Sequence, residues 1–185
     1  MKRRKNMALT KFEQFIIRSA YWDRKRAKEI KILTNNVSCH ERKILNIGSG
    51  GGVLTDKLLK AEMIINIDLE NAQHVDSVAC ATELPFAENR FDVIIFLRVL
   101  HHIDDFTKAM EEALRCLKPK GSILISEPYY YAVKLLDMSR LTSHPKNIIR
   151  KGDIEKFVKE HGLTITKKFN RIFWFYYGYQ IQLKA

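Results

Sequence analysis

The chain has 185 residues, 46% hydrophobic and 29% charged, enough for one domain with a real core. Its three cysteines, Cys39, Cys80 and Cys116, are few, odd in number and widely spaced, which argues against a disulfide framework or a zinc site, so no metal is expected. The net charge of +11 is uneven, with residues 1–43 carrying +9, residues 44–133 carrying −5 and residues 134–185 carrying +7.

In chain order, Met1-Lys2-Arg3-Arg4-Lys5 resembles the charged start of an export signal, but Lys11 and Glu13 interrupt any apolar stretch behind it. A cytoplasmic protein is expected. Residues 8–34 show helical spacing, with Phe12, Phe15, Ile16, Ala20, Ala27, Ile30 and Leu33 approximating one apolar side and Arg24, Lys25, Arg26 and Lys28 on the other. Such a helix either packs on a sheet or lies over a site as a lid.

Residues 44–52 read I-L-N-I-G-S-G-G-G, an apolar run that stops at glycines, and residues 53–60 have the composition of a short helix. A strand, a glycine turn and a helix N-terminus suit the approach of an anionic or nucleotide-like group, although a purely structural turn has the same pattern. Residues 63–68 form a second apolar run ending in Asp68, where a parallel strand would place a carboxylate to grip a ribose diol. Residues 75–80 predict a third strand after a turn or helical stub, and residues 81–86 a loop, since Pro85 lacks a donor and biases Leu84 towards extended geometry.

Residues 91–97 predict a fourth, fully buried strand. A helix follows, capped by Asp104 or Asp105, carrying Phe106, Ala109, Met110, Ala113, Leu114 and Leu117 on one face and stopped by Pro119 and Gly121. Residues 122–126 read as a fifth strand. Residues 129–150 lack a clear period and hold Tyr129, Tyr130 and Tyr131, which suits an insertion over one edge of the sheet whose tyrosines wall a substrate cavity or, alternatively, simply pack. Asp153 caps a last helix with Ile154, Phe157, Val158 and His161 inward, Gly162 ends it, and residues 163–169 and 173–183 predict two closing strands. Alternating strands and helices up to that pair predict an α/β fold, a Rossmann-like, mostly parallel sheet with an antiparallel C-terminal edge and helices on both faces. One domain is expected, divided into a basic N-terminal helix or cap (1–43), a cofactor-binding core (44–128), a substrate-side insertion (129–152) and a C-terminal helix with a strand pair (153–185).

The motifs I-L-N-I-G-S-G-G-G, N-I-D-L-E, A-T-E-L-P-F, R-F-D-V-I-I, V-L-H-H-I, L-K-P-K-G and I-S-E-P occur in the order and approximate spacing of class I S-adenosylmethionine-dependent methyltransferases. The chain most resembles the type 11 group that contains the ubiquinone and menaquinone biosynthesis methyltransferases. The resemblance covers residues 44–128 well and the basic flanks poorly. It implies S-adenosylmethionine as cofactor, with Gly48, Ser49, Gly50 and Gly52 around its methionine part, Asp68 and Leu69 at the ribose, Cys80 and Ala81 at the adenine, and Leu97 and Arg98 beneath the sulfonium. Three positions depart from the family. Asn46 and Cys80 stand where acids are usual, exchanging charge-assisted contacts of about 1.5 to 3 kcal/mol each, and Lys120 replaces a glycine.

Methyl transfer from a sulfonium is a direct displacement that needs alignment, and it needs a base only if the nucleophile carries a proton. His101 and His102 sit where strand four ends, and by analogy with the family His101 is chosen as the catalytic residue. The alternative is two histidines that bond to backbone at a turn. Arg98 is either a surface residue or a receptor for an anionic acceptor.

Partners follow from charge and motif. A small-molecule acceptor with an anionic handle is preferred, peripheral membrane contact is compatible with the basic flanks, and nucleic acid is disfavoured because strand four lacks an Asp/Asn-Pro-Pro-Tyr signature. Two other classes compete. A noncatalytic S-adenosylmethionine-binding or basic nucleic-acid-binding or membrane-binding protein would share the fold. So would a nicotinamide oxidoreductase, though Val53 occupies the last glycine position of its fingerprint.

Overall fold

In this computed structural model, residues 20–50, 58–132, 134, 149–172 and 176–183 are described. Seven strands follow the apolar runs: β1 (Lys43–Ile47), β2 (Met63–Asp68), β3 (Ser77–Val78), β4 (Phe91–Leu97), β5 (Leu117–Pro128), β6 (Leu163–Ile172) and β7 (Tyr176–Leu183). They form one sheet in the order β3-β2-β1-β4-β5-β7-β6. The first five run parallel, β7 is antiparallel to β5, and β6 is antiparallel to β7. From β1 the chain works outward through β2 and β3, whereas from β4 it works outward the other way. The carboxyl ends of β1 and β4 therefore border a crevice, where open α/β sheets bind ligands.

Among the described residues, three helices cover the sheet. Helix α1 (Ala20–Leu33) packs Ile30 and Leu33 inward, and Ile30 shares a cluster with Ile44, Val93, Ile95 and Leu124 on one face. Helices α2 (Phe106–Cys116) and α3 (Lys151–Glu160) cover the opposite face, where Ala109, Met110, Ala113, Phe157 and Val158 meet Leu45, Ile47, Ile94, Phe96, Ile123 and Ile125. Met110 is 1% exposed, so truncating it to alanine would cost about 2 to 5 kcal/mol. Gln180 of β7 donates to the carbonyls of Leu33 and Asn35 at 2.8 and 2.7 Å, which satisfies the end of α1.

Several boundaries differ from the sequence expectations. Residues 8–19, 51–57 and 173–175 and most of the tyrosine-led insertion lie outside the described residues, so of the expected helix after the glycine turn only Leu58 and Leu59 are seen, both helical. Strand β3 has two residues, because Cys80 instead bridges to Glu83 in a turn. Helix α2 is capped by Asp105, whose carboxylate accepts from the Lys108 N–H at 3.0 Å. It ends at Cys116, before Pro119, because Leu117 already pairs with Phe91. Two steps along β4 then match five along β5, so residues 118–121 loop out with Lys120 at φ +66°. The left-handed backbone explains the family's glycine at this position.

On α3, Asp153 is the third helical residue and accepts back from the Arg150 N–H at 2.7 Å. His161 caps the other end. It is exposed rather than inward, its ring stacks on Phe157 at 3.8 Å, and Gly162 at φ +64° ends the helix.

Candidate functional site

The glycine turn begins where β1 leaves the sheet. The N–H groups of Gly48 and Ser49 both donate to the Ile67 carbonyl, at 2.9 and 3.0 Å, and the Gly50 N–H donates to Asp68 Oδ2 at 2.9 Å. The turn is thus stapled to the end of β2. Gly48 at φ +68° lies so close to the next turn that an added Cβ would stand 2.1 Å from Val99 Cγ2. A Cβ added at Gly50, at φ +59°, would meet nothing within 4 Å among the described residues. Gly48 therefore serves the packing of two turns, and Gly50 leaves room for a ligand to approach the backbone. The Ser49 hydroxyl oxygen is buried with no partner among the described residues. Gly52 lies outside them.

Asp68 ends β2 half-buried, its second oxygen accepting from the Glu70 N–H at 3.3 Å, and Leu69 beside it is 68% exposed. The Ala79 N–H donates to the Asp68 carbonyl at 3.0 Å, which brings Cys80 and the buried Ala81 to the same strand ends. Helix α2 holds the following loop from behind. Glu112 accepts from the Leu84 N–H at 2.8 Å, and Arg115 donates to the carbonyls of Leu84 and Phe86 at 3.0 and 2.7 Å. The Cys80 sulfur lies 3.1 Å from the Thr82 hydroxyl. Asn46 is 2% exposed, and its amide donates to Asn66 Oδ1 at 2.9 Å, with Asp76 accepting from the Asn66 backbone at 2.7 Å. The asparagine that departs from the family pattern thus has a place in a buried polar ladder across β1, β2 and the approach to β3.

Across the crevice, Leu97 and Arg98 end β4. Arg98 has φ +57° and its N–H donates to the Ser126 carbonyl at 2.7 Å. Its guanidinium pairs with Glu29 of α1, with Nε 2.9 Å from Oε2, and lies 4.4 Å from the centre of the Tyr176 ring. Glu29 is fully buried and also accepts from the Ser126 hydroxyl. Burial would lower the Arg98 pKa, but its pairing with Glu29 outweighs that and holds it above the ordinary value. Of the two readings of Arg98, a surface residue or an anion receptor, the first does not fit a side chain only 17% exposed, and the charge is balanced inside the protein by Glu29. The lysine-rich helix α1 carries one buried acid whose position gave no sign of this in the sequence.

The chain then makes a 3-10 turn (Leu100–His102) against the end of β5. Glu127, 0% exposed, accepts from the N–H groups of Val99, Leu100 and His101 at 2.9, 2.8 and 3.4 Å, and its Oε2 lies 2.5 Å from His101 Nδ1, the two sharing a proton. Burial pushes the Glu127 carboxyl up to about 7, against the lowering effect of these N–H groups and of His102. His101 is 6% exposed, and its ring centre lies 4.0 Å from that of His102. Glu127 is the site residue that sequence reasoning missed. It ends an apolar strand as Asp68 does, and the same signal could have found it.

The tyrosines divide. Tyr129 packs 5.2 Å from the Tyr177 ring and its hydroxyl donates to the Asn170 carbonyl, whereas Tyr131 is 83% exposed. Tyr177 pairs opposite Glu127 across β5 and β7, with its hydroxyl buried and without a partner among the described residues. A cavity of about 130 Å³ lies at the other end of the parallel strands, lined by Asn36, Arg42, Asp92, Lys120, Ser122 and Gln182, away from all of these groups.

The residues fit S-adenosylmethionine. A glycine and a buried hydroxyl without neighbours or partners among the described residues lie with a strand-end carboxylate at one crevice, next to a turn bearing a buried histidine. The chain is 26% identical to the ubiquinone biosynthesis O-methyltransferase of Pseudomonas putida, an alignment covering 85% of this chain and 82% of that one. Its fold matches a Pyrococcus horikoshii protein, PH0226, with a TM-score of 0.71 at 19% identity, covering 91% and 93% of the two chains. It also matches an S-adenosylmethionine-dependent methyltransferase of Clostridium acetobutylicum, with a TM-score of 0.66 at 16% identity, covering 92% and 95%. The profile of the methyltransferase domain family spans residues 12–168, and the chain belongs to that family of S-adenosylmethionine-dependent enzymes.

Proposed function

We propose that the chain methylates a hydroxyl oxygen of a small acceptor, with His101 as the group that takes the hydroxyl proton. The observation that supports this reading is the contact between the two turns: Gly48 abuts Val99, two residues before the His101 that pairs with Glu127. An acceptor without a labile proton would need no base, and an imidazole is well matched to the task near neutral pH.

When bound, S-adenosylmethionine supplies a methyl group on a positively charged sulfur that leaves as a neutral thioether. Ser49, Gly50 and Asp68 would hold it, with Cys80 and Ala81 at the adenine end. The loop behind Cys80 and Ala81 is held by Glu112 and Arg115, which would keep that end of the site in place before binding. The P. putida relative is named for O-methylation, which agrees with oxygen as nucleophile. An anionic acceptor is supported by the basic flanks alone, since Arg98 is committed to Glu29.

The test is calorimetric titration with S-adenosylmethionine and its demethylated product, together with radiolabelled methyl transfer to a panel of small phenols, carboxylic acids and amines at two salt concentrations. Asp68→Ala should weaken donor binding roughly 5- to 150-fold, the loss of a charged acceptor worth about 1 to 3 kcal/mol. His101→Ala should lower turnover roughly 100- to 10,000-fold with donor affinity unchanged. Failure of the parent protein to bind either donor or product, or transfer to phenols undiminished in His101→Ala, would refute the proposal.

A further inference from the structure

We infer that Glu127 is a positioning residue that sets the tautomer of His101, keeping the shared proton on Nδ1 and leaving the lone pair on Nε2. The inference rests on the reading of His101 as proton acceptor and adds the group that makes it one.

The argument is a count of donors. Both oxygens of Glu127 face groups that can only donate, the N–H groups of Val99 and Leu100 on Oε1 and that of His101 on Oε2. The His101 Nδ1 lies 2.5 Å from Oε2. A carboxylate accepts from all four, whereas a protonated carboxyl would accept from the three N–H groups and donate its own proton to Nδ1, so the ionised form, which prevails above pH about 7, is the one that puts the proton on the ring. With Glu127 ionised, Nδ1 must carry the proton between them, and the other ring nitrogen is then the basic one. The backbone donors belong to the same turn that carries the imidazole, so Glu127 fixes both the ring's position and its protonation. Among the described residues, the groups around the pair include His102, its ring tilted by 41° to that of His101, Tyr177 opposite Glu127 in the β5–β7 register, and Arg98 with Tyr176 one turn back.

In the methylation step the acceptor O–H proton would pass to Nε2, producing an imidazolium whose charge Glu127 balances, and would return to solvent after product release. Glu127→Gln inverts the arrangement. A glutamine side chain offers one acceptor oxygen and one donating NH₂. The oxygen is required by the Val99 and Leu100 N–H groups, so the NH₂ faces Nδ1 and forces that nitrogen to accept. The ring proton then moves to Nε2 and the base is lost.

The experiment uses the full chain labelled with nitrogen-15 histidine, with the His101 signals assigned by their absence in His101→Gln. At pH 8 the parent should show a protonated Nδ1 and an unprotonated Nε2. Glu127→Gln should show the reverse, with turnover down roughly 100- to 10,000-fold and S-adenosylmethionine affinity within twofold of the parent. Glu127→Asp keeps the charge but is one methylene shorter, so it should restore the parent tautomer in part and some of the turnover. A parent whose proton sits on Nε2 at pH 8, or a folded Glu127→Gln that keeps it on Nδ1, overturns the assignment, and the parent spectrum decides even if the glutamine variant does not fold. Failure of the base reading looks different, since His101→Ala would then turn over normally while the parent still showed the Nδ1 proton.

Discussion

Replacing Arg98 by methionine removes the partner of Glu29 while leaving a side chain of similar length on the same left-handed backbone. Glu29 is 0% exposed and the Arg98 side chain 17%, so the pair is screened little by solvent. Breaking a buried ion pair by deleting one partner costs about 3 to 5 kcal/mol, because the remaining charge is stranded in a poorly polarisable interior. The Ser126 hydroxyl continues to donate to Glu29, which favours the lower figure, about 3 kcal/mol. For a chain of this length that corresponds to a fall in Tm of about 6 to 12 °C. The double variant Arg98→Met, Glu29→Met removes both charges and strands only a hydroxyl, so it should be more stable than Arg98→Met alone by about 2 kcal/mol. Urea unfolding of the parent, both single variants and the double variant, followed by circular dichroism, gives the coupling energy directly. A loss below 0.5 kcal/mol in Arg98→Met, or a double variant no more stable than the single, would refute the account of α1 as ionically latched to the end of β4.

Gly48→Ala should destabilise by about 2 to 4 kcal/mol, combining left-handed strain with the contact at Val99, whereas Gly50→Ala meets no neighbour among the described residues and should cost about 1 to 2 kcal/mol. Equal melting temperatures for the two would contradict this. Cys80→Asp restores the family's acid and should tighten S-adenosylmethionine binding about tenfold by calorimetry, since a carboxylate accepts from an amine better than a thiol does. An unchanged affinity in the folded variant would remove Cys80 from the adenine end. Glu127 gives a pH signature of its own. Burial raises its folded-state pKa from 4.5 to about 7, so its contribution to stability is fully present below about 4.5 and is lost as pH rises through 7, by up to about 3 kcal/mol. Urea midpoints measured from pH 4 to 8 should fall in the parent relative to Glu127→Gln. Parallel profiles would show that the carboxyl is not buried as described.

Much of the scaffold was legible in the amino-acid order because it depends on local pattern. Buried parallel strands must be apolar on both faces, so residues 63–68 and 91–97 announced β2 and β4 with the boundaries they have. Glycines at the end of β1 and a carboxylate at the end of β2 were legible at their strand ends, since positive φ and a strand-end acid are written in single residues. The polar partnerships across the crevice were decided elsewhere. Glu29 meets Arg98 across 69 positions and Glu127 meets His101 across 26, and both meetings exist because β4 lies between β1 and β5 with α1 folded over their face. A buried charge takes whichever partner the strand order delivers. Side-chain chemistry in the sequence shows only that Arg98 and His101 need partners, and only the tertiary structure determines that Arg98 is latched from α1 and that Glu127 orients His101.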